Sequence, residues 1–520
     1  MKNRSYKIIA LCLTSLIFLN LKAENEGKSL YTFERIATLY PWLSSNNAAG
    51  LVFKDFRDFS QVAGRVEGYS GTDRNYNQPE MNLSLSGLTR SYVSYGDFFF
   101  YGSFNFTHFE RRNQAWLGTI YPNSVINMMT DSIPGRILGE SYRISGAAGY
   151  KINQSLATGV GFDYETATAA KRTDGRNKNI LSSVELRPSL IFQTNNLIIG
   201  ANLLYRYNAE RVEYAFLGNF SGKHLYNFQG GWMYMKEGIT TSTDLNRGYF
   251  SDSFGAAIQA SYSADRVNLF GELDVEYGLG NNYDDNNLLR RYSLEEGLQY
   301  NFKGRVDYNS DNLRHSFTVN AIILERLSYK IENIYEPVQN ESNTWNWFEY
   351  GKTLRYYDRT ENYKGLYAVE IGGSKWNPKW RFSLTGNFGR FSSEFIVYPS
   401  KYIQDYYTGG GEISAMRNLK AGKKSLLDIT ILGGLYKGGG EMLSEENPFL
   451  TGNLYMSDNL LEEDFLFKTS KRYLYGGRIS YRYSLNEKKG TTLFLDATIR
   501  QYQRKGLSKS IISVNLGLKF

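Results

Sequence analysis

The chain has 520 residues, with 60 Lys and Arg against 52 Asp and Glu and a formal net charge of +8. Four of the basic residues lie within residues 1–23, and the small excess that remains excludes the dense cationic surface of a nucleic-acid-binding protein. The only cysteine, Cys12, lies in the same stretch, which excludes disulfide frameworks and thiolate metal or nucleophile sites from the rest of the chain.

The first 23 residues have the pattern of a secretory signal peptide. Three basic residues precede an apolar run from Ile8 to Leu21, which ends at Ala23 and is followed by polar residues. No other stretch approaches the roughly 18 consecutive apolar residues of a membrane-spanning helix. We therefore predict a signal peptide over residues 1–23 and no transmembrane helix in the remainder of the chain.

Apolar and polar residues alternate along most of residues 58–520. In Val267–Gly278, for example, Leu269 and Leu273 lie on one face, while Glu272 lies on the other. The alternating runs last about 10 to 16 residues, which suits a tilted bilayer crossing and exceeds the roughly 5 to 6 residues of a strand in a soluble sandwich. The pattern predicts an all-β fold, a transmembrane antiparallel up-and-down β-barrel.

Connections between the predicted strands are alternately short and long, as expected for periplasmic turns and extracellular loops. The count gives about 18 strands, with 16 to 20 left open because residues 335–363 are irregular. Short turns are predicted near residues 96–97, 153–154, 195–196, 264–266, 309–312, 374–379, 420–424 and 486–490, and long connections near 111–138, 170–179, 214–248, 280–290, 335–357 and 439–470.

The C-terminal strand alternates from Ile512 to Phe520 and ends on the aromatic residue. In this it resembles bacterial outer-membrane barrels as a class, in which a last strand ending in Phe is the signal read by the barrel-assembly machinery. The resemblance implies a location in the cell outer membrane, with membrane lipid and the assembly machinery as partners. With 42 tyrosines and large loops, the chain also resembles the uncharacterised outer-membrane barrels of the Bacteroidota phylum.

Residues 24–57 precede the first predicted strand and are too few for the plug domain of a TonB-dependent receptor. We expect this segment to be periplasmic or lumenal. The piece Asn47–Leu51 is similar to the N-P-A-G-L hatch motif of the long-chain fatty-acid transporter family, with Ala48 in place of the proline. The resemblance implies that the N-terminal segment sits inside the barrel.

Charged residues on the predicted inner face are the first candidate site. In a water-filled lumen they would set the electric field and hence select the solutes that pass. Alternatively, they pair with each other, fill the interior or hold the N-terminal segment. These candidates are Asp163, Glu165, Arg206, Glu272, Asp274, Glu276, Lys303, Arg305, Arg478, Arg482 and Arg500.

Aromatic residues of the long connections are the second candidate site. Exposed aromatic side chains commonly anchor protein interfaces and stack on ligands. The alternative is a loop that folds inward and packs on itself. The candidates for partner or ligand contact are Phe220, Trp232, Trp345 and Trp347.

No catalytic, cofactor or metal site can be read from the chain. Of its three histidines, His108 and His315 share a strand face with apolar residues and should face lipid, and His224 lies in a long connection. No Ser/His/Asp arrangement emerges, and general acid–base chemistry needs such groups beside a nucleophile or water. We predict that the protein is not an enzyme and carries no cofactor.

Two functions fit these features. The first is passive or facilitated passage of a small solute or nutrient through the barrel. The second is an accessory barrel with a plugged lumen, which binds a neighbouring outer-membrane uptake or secretion complex through its aromatic loops.

Overall fold

The computed structural model describes most of the chain beyond the predicted signal peptide. That peptide and Phe220 lie outside the described residues. The described ranges are 32–122, 124–217, 223–238, 245–284, 290–338, 344–422, 424–449, 453–486 and 490–520.

Eighteen strands form one closed antiparallel barrel, as the sequence predicts. They are β1 (Phe59–Gly71), β2 (Met81–Tyr95), β3 (Phe98–Gln114), β5 (Gly135–Lys151), β6 (Leu156–Lys171), β7 (Arg176–Gln193), β8 (Leu197–Ala215), β11 (Leu245–Ala264), β12 (Val267–Asp284), β13 (Arg290–Asn309), β14 (Leu313–Pro337), β15 (Trp345–Gly373), β16 (Pro378–Val397), β17 (Ser400–Lys420), β18 (Ser425–Glu446), β20 (Arg472–Asn486), β21 (Thr491–Arg504) and β22 (Leu507–Lys519). Four shorter strands lie in the loops: β4 (Met129–Thr130), β9 (His224–Gly230), β10 (Met233–Gly238) and β19 (Leu454–Met456).

The barrel closes between its first and last strands. β1 pairs with β22 from Gln61 opposite Lys519 to Gly71 opposite Lys509. The backbones of Ser60 and Phe520 exchange two further hydrogen bonds of 2.8 and 3.0 Å. Closure leaves no unpaired strand edge, which is what a barrel needs in an environment without water.

The alternation seen in the sequence becomes an apolar outside and a polar inside. On β12, Leu269 and Leu273 are each 41% exposed on the outer face, whereas Glu272 and Asp274 are buried on the inner face. On β22, Ile512 is likewise exposed on the outside. An apolar outer belt with a polar interior is the pattern of a membrane-spanning barrel.

The connections at one end of the barrel, the turn end, are all short. The other end, the loop end, has the long connections together with two short turns, at 398–399 and 505–506. Three predictions of long connections are wrong in extent. Within the predicted 280–290, β12 continues to Asp284 and β13 begins at Arg290. Only residues 172–175 join β6 to β7. Only 338–344 join β14 to β15, because β14 and β15 continue through most of 335–363. Irregular pairing after Ser328 and Glu332 disturbs the alternation there, and such bulges hide a strand from pattern reading.

Loops fold over the loop end of the lumen. β19, β10, β9 and β4 form a small sheet, and a helix spans Asp458–Thr469. Ile126 and Met233 of these loops pack against Tyr356 of the barrel wall. The loop end is therefore covered by chain.

Residues 32–56, which we call the N-terminal segment, form a helix at Phe33–Leu39 and 3-10 helices at Pro41–Ser44 and Ala48–Phe53. The Thr32 hydroxyl caps the first helix by accepting a hydrogen bond from the Arg35 amide at 3.0 Å. Among the described residues, no helix has the length and apolar character needed to cross a membrane.

Candidate functional site: a partly filled lumen

The N-terminal segment lies inside the barrel. Its helix forms ion pairs from Arg35 to Glu370 on β15 and from Glu34 to Arg478 on β20. The 3-10 helix Ala48–Phe53 packs instead against β5, β6 and β7. These strands belong to different sides of the wall, so the segment spans the lumen between them.

One ion pair attaches the helix to β15. The Arg35 and Glu370 side chains are 8% and 6% exposed, and a second nitrogen of Arg35 donates to the Glu370 carboxylate at 2.7 Å. Arg314 and Arg381 approach the same carboxylate at 3.6 and 3.8 Å. Removing one member of a buried pair leaves an unbalanced charge, which typically costs about 3–5 kcal/mol. Glu370 is therefore the acid that balances the cations around the helix.

Trp42 anchors the next part of the segment to another part of the wall. Its side chain is 5% exposed, and its ring meets the ring of Phe270 edge-on at 5.5 Å. The indole N–H donates to the Ser261 hydroxyl at 2.9 Å. The buried ring and the satisfied donor together fix this stretch against β11 and β12.

Asn47 begins the motif that resembles a hatch and is almost fully buried. Its side-chain amide donates to the Leu190 carbonyl at 3.1 Å, the Ala201 carbonyl at 3.2 Å and the Gln259 side chain at 2.9 Å. Its side-chain oxygen accepts from the Ala49 amide at 3.1 Å. One residue thus satisfies polar groups on both the segment and the wall.

Two wall glycines give the segment room. A Cβ at Gly159 would lie 2.4 Å from the Ala49 backbone nitrogen, and one at Gly200 would lie 2.7 Å from the Asn47 side chain. Any larger residue at these positions would displace the segment. The wall of β5–β8 and β11–β13 is therefore shaped to the chain it holds, and we call it the filled side.

Three of the predicted lumen residues on this side contact the segment. Glu272 accepts from the Asn46 amide at 3.1 Å, and Asp274 accepts from the Asn46 side chain at 2.7 Å. The Lys303 ammonium donates to the Ser44 carbonyl at 3.1 Å. The three charged side chains therefore bind the backbone of the segment and the side-chain amide of Asn46.

Other predicted residues of the filled side pair along the wall. Arg206 bridges Glu185 at 2.6 Å and Glu276 at 2.7 Å. Arg305 binds Asp307 through two hydrogen bonds of 2.6 and 2.9 Å. Mixed charges are neutralised locally here, as in the filled-lumen alternative.

Asp163 and Glu165 lie on β6 of the same side. Asp163 forms an ion pair with Arg187, and Glu165 accepts a hydrogen bond from the Tyr121 hydroxyl of a loop. The second contact links the wall to the chain that covers the loop end.

The remaining predicted residues line a cavity of about 720 Å³ between the helix of the segment and β15–β18, β20 and β21, which we call the open side. Arg478 binds Asp496 at 3.2 Å as well as Glu34, and Arg482 forms an ion pair with Asp428. Arg500 lines the same cavity. Two further cavities, of about 720 and 630 Å³, lie beside Trp42 and beneath the loops.

The aromatic candidates occupy different settings. Trp232 is 9% exposed and packs edge-on against Tyr76 at 4.5 Å, as in the alternative of a loop that packs inward. Trp345 and Trp347 lie on β15 rather than in a loop, where both rings contact Tyr335 at 5.5 and 4.9 Å.

Lys54 fastens the end of the segment to the start of the barrel. It donates to the Asp58 carboxylate at 2.8 Å, and Ser94 donates to the same group. Burial raises the pKa of Asp58, but these hydrogen bonds and the charge of Lys54 outweigh it and hold that pKa below its ordinary value. Within the described ranges, no group of three or more His, Cys, Asp or Glu residues is arranged to hold a metal ion.

Sequence reasoning missed Arg35, Glu370 and Trp42, and it missed Lys364, which lines the cavity of the open side. The first three interact with residues that are more than 200 positions away in sequence. Lys364 directly follows the stretch in which the strand pattern is lost. Only the position of Asn47–Leu51 inside the barrel could be inferred, and only from resemblance.

Several solved structures resemble this chain. The copper transporter OprC has a TM-score of 0.38 and 10% identity, over 89% of this chain and 81% of its own. BauA, the ferric preacinetobactin receptor from Acinetobacter baumannii, has a TM-score of 0.39 and 10% identity, over 88% and 80%. The RagAB peptide transporter has a TM-score of 0.35 and 7% identity, over 89% and 86%.

No curated protein sequence matches this chain. A sequence family does match it over residues 48–520, which comprise the whole barrel and the hatch-like piece except Asn47. The chain therefore belongs to the family described as a family of unknown function, DUF6850.

Proposed function

We propose that this protein carries a small solute or nutrient across the outer membrane of a Gram-negative cell, and that the N-terminal segment gates the passage. The observation that carries the proposal is a lumen occupied by a short segment beside a cavity of about 720 Å³. A pore for free diffusion needs no such segment. A permanently solid barrel leaves no such cavity.

The way in which the segment is held supports a gate. Hydrogen bonds attach this part of the segment to the wall. The side chains of Asn46 and Asn47 donate to wall side chains, and the Ser44 carbonyl accepts from a wall lysine. Each such bond contributes only about 0.5–1.5 kcal/mol net, because water replaces it when the segment leaves. The Arg35–Glu370 ion pair and the burial of Trp42 hold the segment more strongly, but these contacts too are non-covalent and lie outside the strand ladder. The segment can therefore be displaced without unfolding the barrel, and Asn47–Leu51 would act as the hatch that the resemblance implies.

The apolar outer belt and the closed strand ladder support insertion in a lipid bilayer. In this proposal, the assembly machinery recognises the last strand, which ends at Phe520 and completes the barrel against β1. Membrane lipid is then the partner of the outer face.

Current through planar bilayers tests the proposal. The wild-type protein should pass brief, small currents, and Glu370→Gln should raise the open fraction, because Arg35 loses its buried partner. Glu361→Gln is the matched control, since it removes an acid on the same strand that binds Arg359 at 2.7 Å. The proposal fails if neither the wild type nor Glu370→Gln conducts at any voltage.

A second candidate is the accessory barrel with a blocked lumen. It is favoured by the exposed aromatic residues on β14 and β15, of which Tyr335 and Trp345 are 51% and 53% exposed. Rings of this kind anchor partner proteins. Native purification from membranes should then recover a second outer-membrane protein with the wild type and lose it in Trp345→Ala; recovery of the monomer alone contradicts this candidate.

A further inference from the structure

The cavity on the open side carries an excess of positive charge. Six cationic side chains line it: Arg35, Lys364, Arg381, Arg478, Arg482 and Arg500. Three acidic side chains line it: Glu34, Glu412 and Asp428. The imbalance gives the cavity a positive potential, since charges inside a narrow, partly desolvated space are screened less than on a surface.

Most of these cations have a partner already. Arg478 binds Glu34 at 2.9 Å, and Arg482 pairs with Asp428. Arg35 and Arg381 share Glu370 from the wall behind them. The last acid, Glu412, accepts a hydrogen bond from the Tyr436 hydroxyl. The ion pairs neutralise one part of the cavity, whereas Glu412 keeps its negative charge, because the hydroxyl that it binds is neutral.

Two of the six cations, Lys364 and Arg500, are not accounted for by these contacts. Among the described residues, neither forms an ion pair with a carboxylate, although both line the same cavity. Lys364 is on β15 and Arg500 on β21, so they approach the space from separate parts of the wall. Hydroxyl and amide side chains, including Thr385, Asn387 and Thr498, line the same cavity as further hydrogen-bond donors.

We propose that this cavity binds a small anionic solute through carboxylate or phosphate groups, with Lys364 and Arg500 as the charges that it neutralises. Guanidinium and ammonium groups surrounded by neutral donors are the chemistry that recognises such anions. A volume of about 720 Å³ lies within the size range of small-ligand sites, which is about 300–1,000 Å³. The inference rests on the proposed transport function and names the charge class of its solute.

The filled side differs from the open side because its charged groups have partners. Glu272 and Asp274 accept hydrogen bonds from Asn46, and Lys303 donates to Ser44. Arg206 pairs with Glu185 and Glu276 along the wall. A solute anion is therefore attracted to the open side, where Lys364 and Arg500 form no ion pair with a carboxylate of the described residues.

Calorimetric titration of the detergent-solubilised full chain tests this site. The probes are inorganic phosphate, citrate and, as a cation control, tetramethylammonium. Both anions or one of them should bind the wild type, and the double substitution Lys364→Gln and Arg500→Gln should weaken that binding at least tenfold. If phosphate alone binds, the cavity recognises a phosphate group, and if citrate alone binds, it recognises carboxylate groups.

The matched control removes two positive charges from the turn end, with Lys151→Gln and Arg266→Gln, both of which replace exposed residues. It should bind the anions as the wild type does. The inference is overturned if neither anion binds, if tetramethylammonium binds equally well, or if the two double variants behave alike. Conductance separates this from the transport proposal: a conducting barrel that binds no anion overturns only the present inference.

Discussion

The two sides of the lumen are built from the same alternating strands, yet only one of them is shaped to the chain it holds, whereas the other meets the segment through the ion pairs Arg35–Glu370 and Glu34–Arg478. On the filled side, glycine, amide and carboxylate groups fit the backbone of the N-terminal segment, as Gly159 and Glu272 show. On the open side, a cationic wall faces a cavity of about 720 Å³. The inner face of a barrel is thus divided into a holding surface and a solute-facing surface by its side chains rather than by its strand pattern.

The largest expected effect on this division comes from Trp42→Ala. Replacing a buried Trp by Ala typically costs about 3–5 kcal/mol, and here the loss falls on docking of the segment against Phe270. Limited proteolysis of the folded barrel should cut within residues 32–56 at least tenfold faster. Trp345→Ala, which removes a 53% exposed ring, should leave the cutting rate unchanged; equal rates in both variants contradict the docking role.

Gly159→Ala should have the next largest effect. The added methyl group would lie 2.4 Å from the Ala49 nitrogen, and overpacking of this kind costs about 1–3 kcal/mol. Gly146→Ala is the matched control on the neighbouring strand, because a Cβ there meets nothing within 4 Å. In the same proteolysis assay, the segment should be cut faster in Gly159→Ala and at the wild-type rate in Gly146→Ala. An unchanged cutting rate in Gly159→Ala would contradict the close packing of the segment against Gly159.

The wall could be predicted from the sequence because period-two alternation is local. The strand count, the short turns and the outer apolar face all follow from it. The errors lie in the extent of predicted connections such as 170–179 and 335–357, the second of which lies beside irregular pairing. The site could not be predicted in this way. Arg35 meets Glu370 across 335 positions, and no local pattern encodes such a contact. The sequence suggested which charges face inward, whereas their partners depend on where the segment lies.

A smaller effect is expected on acidification. The pKa of Asp58 is lowered in the folded protein, so the contribution of its ion pair with Lys54 is present above the unfolded value of about 4 and is lost as the pH falls through the folded value. Because the Asp58 side chain is half exposed, screening keeps the effect small. Proteolysis with an acid-active protease should show modestly faster cutting below about pH 4, and Asp58→Asn should remove that pH dependence; an unchanged dependence would assign it to another group.

The smallest effect is expected from Thr385→Ala on the open side. Thr385 lines the cavity and has no part in holding the segment, and such substitutions usually change stability by less than about 0.5 kcal/mol. Segment protection should equal that of the wild type. Faster cutting in this variant would show that the cavity wall holds the segment beyond the ion pairs Arg35–Glu370 and Glu34–Arg478, and the division of the lumen would fail.

The gate itself can be tested by locking the segment to the filled side. A Cβ at Gly161 would lie 3.7 Å from the Cβ of Ala48, within the spacing of about 3.5–4.5 Å that a disulfide needs, and Cys12 is the only native cysteine. Bilayer current through Ala48→Cys/Gly161→Cys should be absent when oxidised and return to the wild-type level on reduction, with each single substitution insensitive to redox state. Equal current through the oxidised and reduced double variant would contradict the account, because solute would then pass without movement of the segment.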